Sequence, residues 1–166
     1  YIDMMTASLL FRAGNASGET ERVSNLLLQS IESLELVGSF DGDVVYHGTS
    51  VENAEKIRNL GIDMKKSSGG YFGYGFYTAI DEETSRCNYC DFLDEPGTVL
   101  AFRILPGANI LDLRKEEDSN TFSDLVGGVE VDNYHNVMKR NKVDGVFDRS
   151  FEGIIFYTSK YLELIK

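Results

Sequence analysis

Cysteine, proline, histidine and tryptophan are scarce in this 166-residue chain, which has two Cys, two Pro, two His and no Trp. Cys87 and Cys90, in "CNYC", are too few for a disulfide framework. A structural zinc ion wants four ligands at recurring spacings, and His47 and His135 are the only further candidates, so no metal is expected. The two cysteines read as ordinary, partly buried thiols on a helix, with thiol redox chemistry as the outside alternative. Two prolines beside sixteen glycines point to many turns in an ordered chain, not to a low-complexity linker. Long apolar runs are missing as well. "GIIFY" and "VLAF" are far too short to span a bilayer, and no charged-then-apolar leader opens the chain, so a soluble protein is expected. A start at Tyr1 in place of Met fits an excised domain, for which a missing leader excludes nothing. Basic residues are outnumbered, 16 against 27 acidic ones, and the net charge of −11 disfavours broad adhesion to nucleic acid or anionic membrane. An anionic ligand must then be held by local geometry.

With 42% hydrophobic and 11% aromatic residues, the chain can bury one sizeable core. Residues 1–42 are expected to form an N-terminal helical segment packed on the domain. In "ETERVSNLLLQSIESLELVG", Val23, Leu26, Leu27, Ile31 and Leu34 recur at helical spacing before Gly38. From residue 43 to 166 the pattern changes to short strands and helices. Val44–His47 reads as a strand, and Val51–Leu60 as a helix capped by Ser50. "KKSSGGYFGYGFYTA" reads as a flexible Gly/Ser loop, then a strand near Gly75–Thr78, then a helix from about Asp81. "GTVLAFRIL" and "NILDL" are strands, residues 133–141 a short helix, and "DGVFD", "EGIIFYTS" and "YLELI" three closing strands. Late consecutive strands indicate an α+β fold with mainly antiparallel sheets.

Three segments carry chemistry when taken together: "YHGT" at 46–49, "YFGYGFYTA" at 71–79 and "FEGIIFYTSKYLELI" at 151–165. In order and spacing they resemble the ADP-ribosyltransferase family, in the His-Tyr-Glu branch that includes the poly(ADP-ribose) polymerases and diphtheria toxin. The resemblance runs from Val44 almost to the C-terminus. It implies a split β-sandwich of mainly antiparallel strands with flanking helices, and NAD as the substrate.

Cleavage of the bond between ribose and nicotinamide in NAD releases a neutral leaving group from a cation, so no general acid is needed. Oxocarbenium character develops on the sugar, and one nearby carboxylate can stabilise it and hold the 2′-hydroxyl. By resemblance that carboxylate is Glu152. Tyr77 stacks on the nicotinamide, and Tyr89 supplies a second aromatic wall about one residue away from the family position. Ser85 meets the carboxamide, which also approaches the backbone of Gly48, a residue without a Cβ. His47 hydrogen-bonds the adenosine ribose, with Thr49 nearby. Taken singly, each of these residues has an ordinary structural reading: a hydrogen-bonded strand-end histidine, a core tyrosine, a solvated edge glutamate. "GGYFGYG" lacks the order and the strand-to-helix placement of a phosphate-binding glycine loop. Lys65 and Lys66 read as solvated.

Ser150 stands where arginine-modifying relatives in another branch carry an acidic residue, and the same branch has Arg at the position of His47, so arginine modification is not expected. The expected activity is mono-ADP-ribosylation of a macromolecular acceptor, protein favoured over nucleic acid, with a bacterial toxin or effector as the origin and a cytosol, that of a target cell if the protein is secreted, as the site of action. The alternatives are an NAD glycohydrolase, a catalytically inactive NAD or ADP-ribose binding module, and the related RNA 2′-phosphotransferase, against which Glu152 argues.

Overall fold

The computed structural model describes residues 40–66, 69–90 and 96–165, with the side chains of Asn88 and Tyr89 excepted. The expected N-terminal helical segment therefore lies outside the described residues, apart from residues 40–42. From residue 43 onward the chain is mixed α and β, with a mostly antiparallel sheet and few helices. Among the described residues no helix is long and apolar enough to cross a membrane.

The chain enters the sheet through β1 (Val44–Ser50), whose alternation of apolar residues with His47 and Thr49 suits a strand packed on both sides. Ser50 ends the strand and caps α1 (Val51–Leu60), its hydroxyl accepting from the Asn53 N–H at 3.2 Å. Gly61, at φ +80°, closes α1 by donating its N–H to the Ile57 carbonyl. The segment expected as a flexible loop instead makes a small hairpin, β2 (Gly69–Gly70) with β3 (Gly73–Tyr74), before β4 (Phe76–Ala79). Asp81 caps the one-turn α2 (Glu82–Ser85) through the Thr84 N–H at 2.7 Å, and a π-helical turn (Arg86–Cys90) follows.

β5 (Gly97–Ile104) pairs with β1 along seven positions, from Val44 opposite Arg103 to Ser50 opposite Gly97. Next come β6 (Ile110–Asp112), α3 (Glu116–Val126), α4 (Tyr134–Arg140), β7 (Gly145–Asp148), β8 (Gly153–Phe156) and β9 (Leu162–Leu164). The seven-stranded order is β6-β7-β8-β4-β1-β5-β9, with β6–β7 parallel and every other pair antiparallel. α3 was not expected from the sequence. "EEDSNTFSDLV" is rich in residues that compete for backbone hydrogen bonds, and no side chain caps its start. It is held instead by Phe122, Leu125 and Val126 packing on the sheet, while Asp118 accepts the Asp112 N–H at 2.9 Å.

All seven strands give residues to one core around Val45, Phe76, Leu100, Phe102, Ile104, Phe147, Ile154 and Phe156, with Ile110, Leu162 and Leu164 at its margin. On the opposite face of β6, β7, β8 and β4 lies a second core, Phe72, Leu111, Met138, Val143, Val146, Ile155 and Tyr157, covered by the hairpin, α3 and α4.

Candidate functional site

The place where β1 and β4 part holds most of the residues named from sequence. The two strands pair at a single position, Tyr46 opposite Ala79. One residue further along β1, the His47 imidazole reaches across and its Nδ1 lies 2.8 Å from the Tyr77 carbonyl oxygen. Because a carbonyl can only accept, Nδ1 must carry the proton, which leaves Nε2 as an acceptor when the ring is neutral. The ring also stacks on Phe76, with centroids 4.1 Å apart. Burial lowers the His47 pKa below the 6.5 of a free imidazole, and the bond to the Tyr77 carbonyl opposes this only in part. The neutral form is thereby favoured. Among the described residues nothing else hydrogen-bonds the ring.

Tyr77 faces the other way. Strand alternation puts Phe76 and Thr78 in the first core and the Tyr77 ring against the second, 6.3 Å from Phe151. Its hydroxyl donates to the Gly73 carbonyl at 2.7 Å and accepts from the Phe72 N–H at 3.2 Å. The hairpin is thus tied down on Tyr77, and Gly70 passes so close that a Cβ there would sit 2.6 Å from that hydroxyl.

Glu152 stands one residue before β8, on the strand beside β4. Gly153 pairs with Ala79, and the Glu152 carbonyl accepts from the Ile80 N–H at 2.9 Å. The preceding turn is set by Asp148, whose Oδ1 accepts both the Ser150 N–H, at 2.7 Å, and the Ser150 hydroxyl. Glu152 leaves that turn at φ +50°, a conformation side chains rarely take, and its side chain is exposed. Gly153 makes this route feasible: a Cβ there would fall 2.0 Å from the Thr78 carbonyl. Since β1, β4 and β8 are successive neighbours, the strands of His47 and Glu152 lie about 10 Å apart at ordinary strand spacing.

Gly48 is buried opposite Val99, and Thr49 is half-buried opposite Thr98. The π turn packs on this end of β1 and β5. Cys90 Sγ donates to the Thr98 carbonyl at 3.3 Å, and a Cβ on Gly97 would meet the Cys90 Cβ at 2.7 Å. Ser85, just before that turn, is wholly buried, and its hydroxyl is the one buried side-chain polar atom among the described residues without a hydrogen-bond partner. Such orphans are uncommon and ask for a reason. The Tyr89 side chain falls outside the described residues. Its backbone lies in the π turn Arg86–Cys90.

Both cysteines are free thiols, Cys87 exposed and Cys90 buried. Among the described residues no group of three or more His, Cys, Asp and Glu is placed to hold a metal ion. Lys65 and Lys66 are exposed on a 3₁₀ turn. Two cavities are not lined by His47, Tyr77 or Glu152. One, of about 330 Å³, is bordered by Val44, Val45, Ile80, Arg114 and Phe147 at the foot of β1. The other, of about 480 Å³, lies between Asn109, Lys142 and Tyr161.

The structure therefore brings His47 and the Tyr77 backbone into contact, sets Glu152 two strands from β1, and packs the Ser85 segment over the end of β1. It does not place the His47 and Tyr77 rings on one face. Three positions the sequence reading passed over shape the site: Phe76 under the histidine, Gly153 beside the glutamate, and Tyr157, whose hydroxyl donates to the Phe72 carbonyl at 3.1 Å. The glycine directly after Glu152 was the available signal for the second. Neither a comparison with protein-family models nor one with characterised proteins finds a match for this sequence.

Proposed function

We propose that the chain is an NAD-dependent mono-ADP-ribosyltransferase whose site is formed by His47, Gly48, Tyr77, Ser85 and Glu152. The observation that carries this reading is the His47–Tyr77 hydrogen bond at the parting of β1 and β4, with Glu152 on the next strand. It holds the imidazole in one tautomer, and burial keeps the ring neutral, with Nε2 available to accept a ribose hydroxyl. The mostly antiparallel seven-stranded sheet is compatible with the split β-sandwich of that family. The orphaned Ser85 hydroxyl supports an amide ligand, since a carboxamide both donates and accepts. That hydroxyl is out of reach of solvent, so the carboxamide meets it only if the short α2–π segment shifts.

In the proposed reaction the bond from ribose C1′ to the nicotinamide nitrogen breaks with its electron pair leaving on the neutral ring. The acceptor's lone pair then bonds C1′, and its proton passes to solvent. Glu152 opposes the positive charge that grows on the sugar, an interaction stronger in the transition state than in the bound substrate. Its exposure favours a second reading, NAD glycohydrolase, because water can reach the same carbon.

The test incubates the full chain and its Glu152→Ala variant with adenylate-labelled NAD and a cell lysate. We expect label in the protein fraction and a loss of about 100-fold or more in the variant, with NAD affinity retained. Nicotinamide release without macromolecular label selects the glycohydrolase. An unchanged rate in the variant removes Glu152 from the chemistry, and NAD binding without turnover leaves a binding module.

A further inference from the structure

In a chain of net charge −11, three lysines line one cleft. Its walls are the link between β5 and β6 at Asn109, the last turn of α4 with Lys139, the link between α4 and β7 with Lys142 and Asp144, and the link between β8 and β9 with Lys160 and Tyr161. At about 480 Å³ it is in the size range of small-molecule sites. It contains none of His47, Gly48, Tyr77, Ser85 and Glu152, and of the residues that shape their site it shares only Tyr157.

The cleft is braced. Asn109 donates its N–H to the Asp144 carboxylate and its side-chain amide to the Lys142 carbonyl, each at 2.9 Å, and accepts the Asp144 N–H at 2.8 Å. The Tyr157 N–H donates to the Asp144 carbonyl at 2.8 Å, and the Tyr161 carbonyl accepts from the Leu105 N–H at 2.8 Å, so all three links are joined. Lys160 is held too, its Nζ 2.9 Å from the Tyr161 hydroxyl and 4.5 Å from the centre of that ring. Among the described residues only two other than glycine have a positive φ. One is Glu152, and the other is Lys142, at +59°. Backbone held in a sparsely populated conformation tends to occur at ligand sites, where the surrounding structure over-determines it.

The charges choose the ligand class. Three ammonium groups against the one Asp144 carboxylate leave two positive charges in the cleft, and a phosphate monoester carries about −1.5 to −2 near neutral pH. A single carboxylate would leave one of them unmatched. We propose that this cleft binds the phosphate of a small ligand of the nucleotide class, with Lys139, Lys142 and Lys160 around the phosphate and the Tyr161 ring available to a base.

The full-length chain would be titrated with inorganic pyrophosphate and, separately, with ADP, following backbone amide resonances at constant ionic strength, beside a Lys142→Gln/Lys160→Gln variant. Both lysines are exposed, and unchanged resonances elsewhere establish that the variant is folded. We expect saturable shifts at Asn109, Lys142, Asp144 and Tyr161, with affinity reduced tenfold or more in the variant. Equal affinity for the two probes assigns the site to phosphate alone, and a tenfold preference for ADP adds the base. Absence of saturation with both probes, equal affinity in the variant, or shifts confined to the neighbourhood of His47 and Tyr77 would overturn the proposal. The outcome is independent of the Glu152→Ala assay, so either reading can fail without the other.

Discussion

The two cores of this protein are built differently although they share one sheet. The first receives residues from all seven strands, and Leu100, Ile104, Ile154 and Phe156 have no exposed surface. The second is closed by connections: Phe72 from the hairpin turn, Met138 from α4, Val143 from a loop, and Phe122 from α3. Strand residues reach the first core through a ladder whose register every neighbour enforces. Leu111, Val146 and Ile155 enter the second core from that same ladder, but the residues that close it from outside the sheet are held by a few hydrogen bonds and local packing. The proposed site draws on both, with the His47 ring against the first and the Tyr77 ring against the second. The half resting on the strands should be rigid, and the half under the hairpin should open at lower cost.

Truncating a residue at the centre of the first core tests this most severely. Phe156 is fully buried, and its ring belongs to the cluster that all strands share. Phe156→Ala should cost about 3–5 kcal/mol, read from denaturant unfolding of the full chain. Amide protection should fall across β1, β5 and β8 together. Loss confined to β8 would mean that the first core is not one cooperative unit, and the contrast with the second would fail.

The same contrast explains what could be read from the sequence. Strands at 44–50, 76–79, 97–104, 110–112, 145–148, 153–156 and 162–164 appear where apolar alternation or short β-branched and aromatic runs announced them, because a strand's period survives in its own residues. The Ser50 cap and the helix start near Asp81 were legible for a similar reason, since a capping side chain acts within three residues. α3 was not, because what stabilises "EEDSNTFSDLV" is Phe122, Leu125 and Val126 meeting residues far away in sequence. The hairpin escaped likewise. Its glycines signal flexibility, whereas the phenols that fix it, Tyr77 and Tyr157, are supplied by β4 and by the end of β8. At the site, chemistry pointed to His47, Tyr77 and Glu152, but the tautomer of the histidine and the opposite facing of the two rings depend on where the β1–β4 ladder stops.

A milder change isolates the second core. Tyr157→Phe keeps the ring and removes only the hydroxyl that meets the Phe72 carbonyl, leaving a buried acceptor unpaired at a cost of about 1–3 kcal/mol. Burial raises the pKa of this phenol, so the lost group is a neutral donor throughout the physiological range. Hydrogen exchange should quicken at Phe72 and its hairpin neighbours while the β1–β5 amides stay protected. Equal acceleration in both regions would show that the hairpin and the strands open as one body.

The gentlest probe acts on the first core through pH. The folded state depresses the His47 pKa below 6.5, so between the folded value and 6.5 the unfolded chain binds more proton. Stability from this group is then fully present above about pH 6.5 and is lost as the pH falls toward the folded pKa, with a slope no steeper than about 1.4 kcal/mol per pH unit. Asp112 behaves differently: the adjacent Arg114 guanidinium depresses its pKa, and its contribution is lost only at more acid pH. In a series of unfolding curves between pH 5 and 7.5, His47→Gln should flatten the acid limb in the upper part of the range while leaving Glu152 and the hairpin in place. If the variant keeps the wild-type slope, the imidazole is not buried in its neutral form. Nε2 would then not be the standing acceptor that the ribose contact requires.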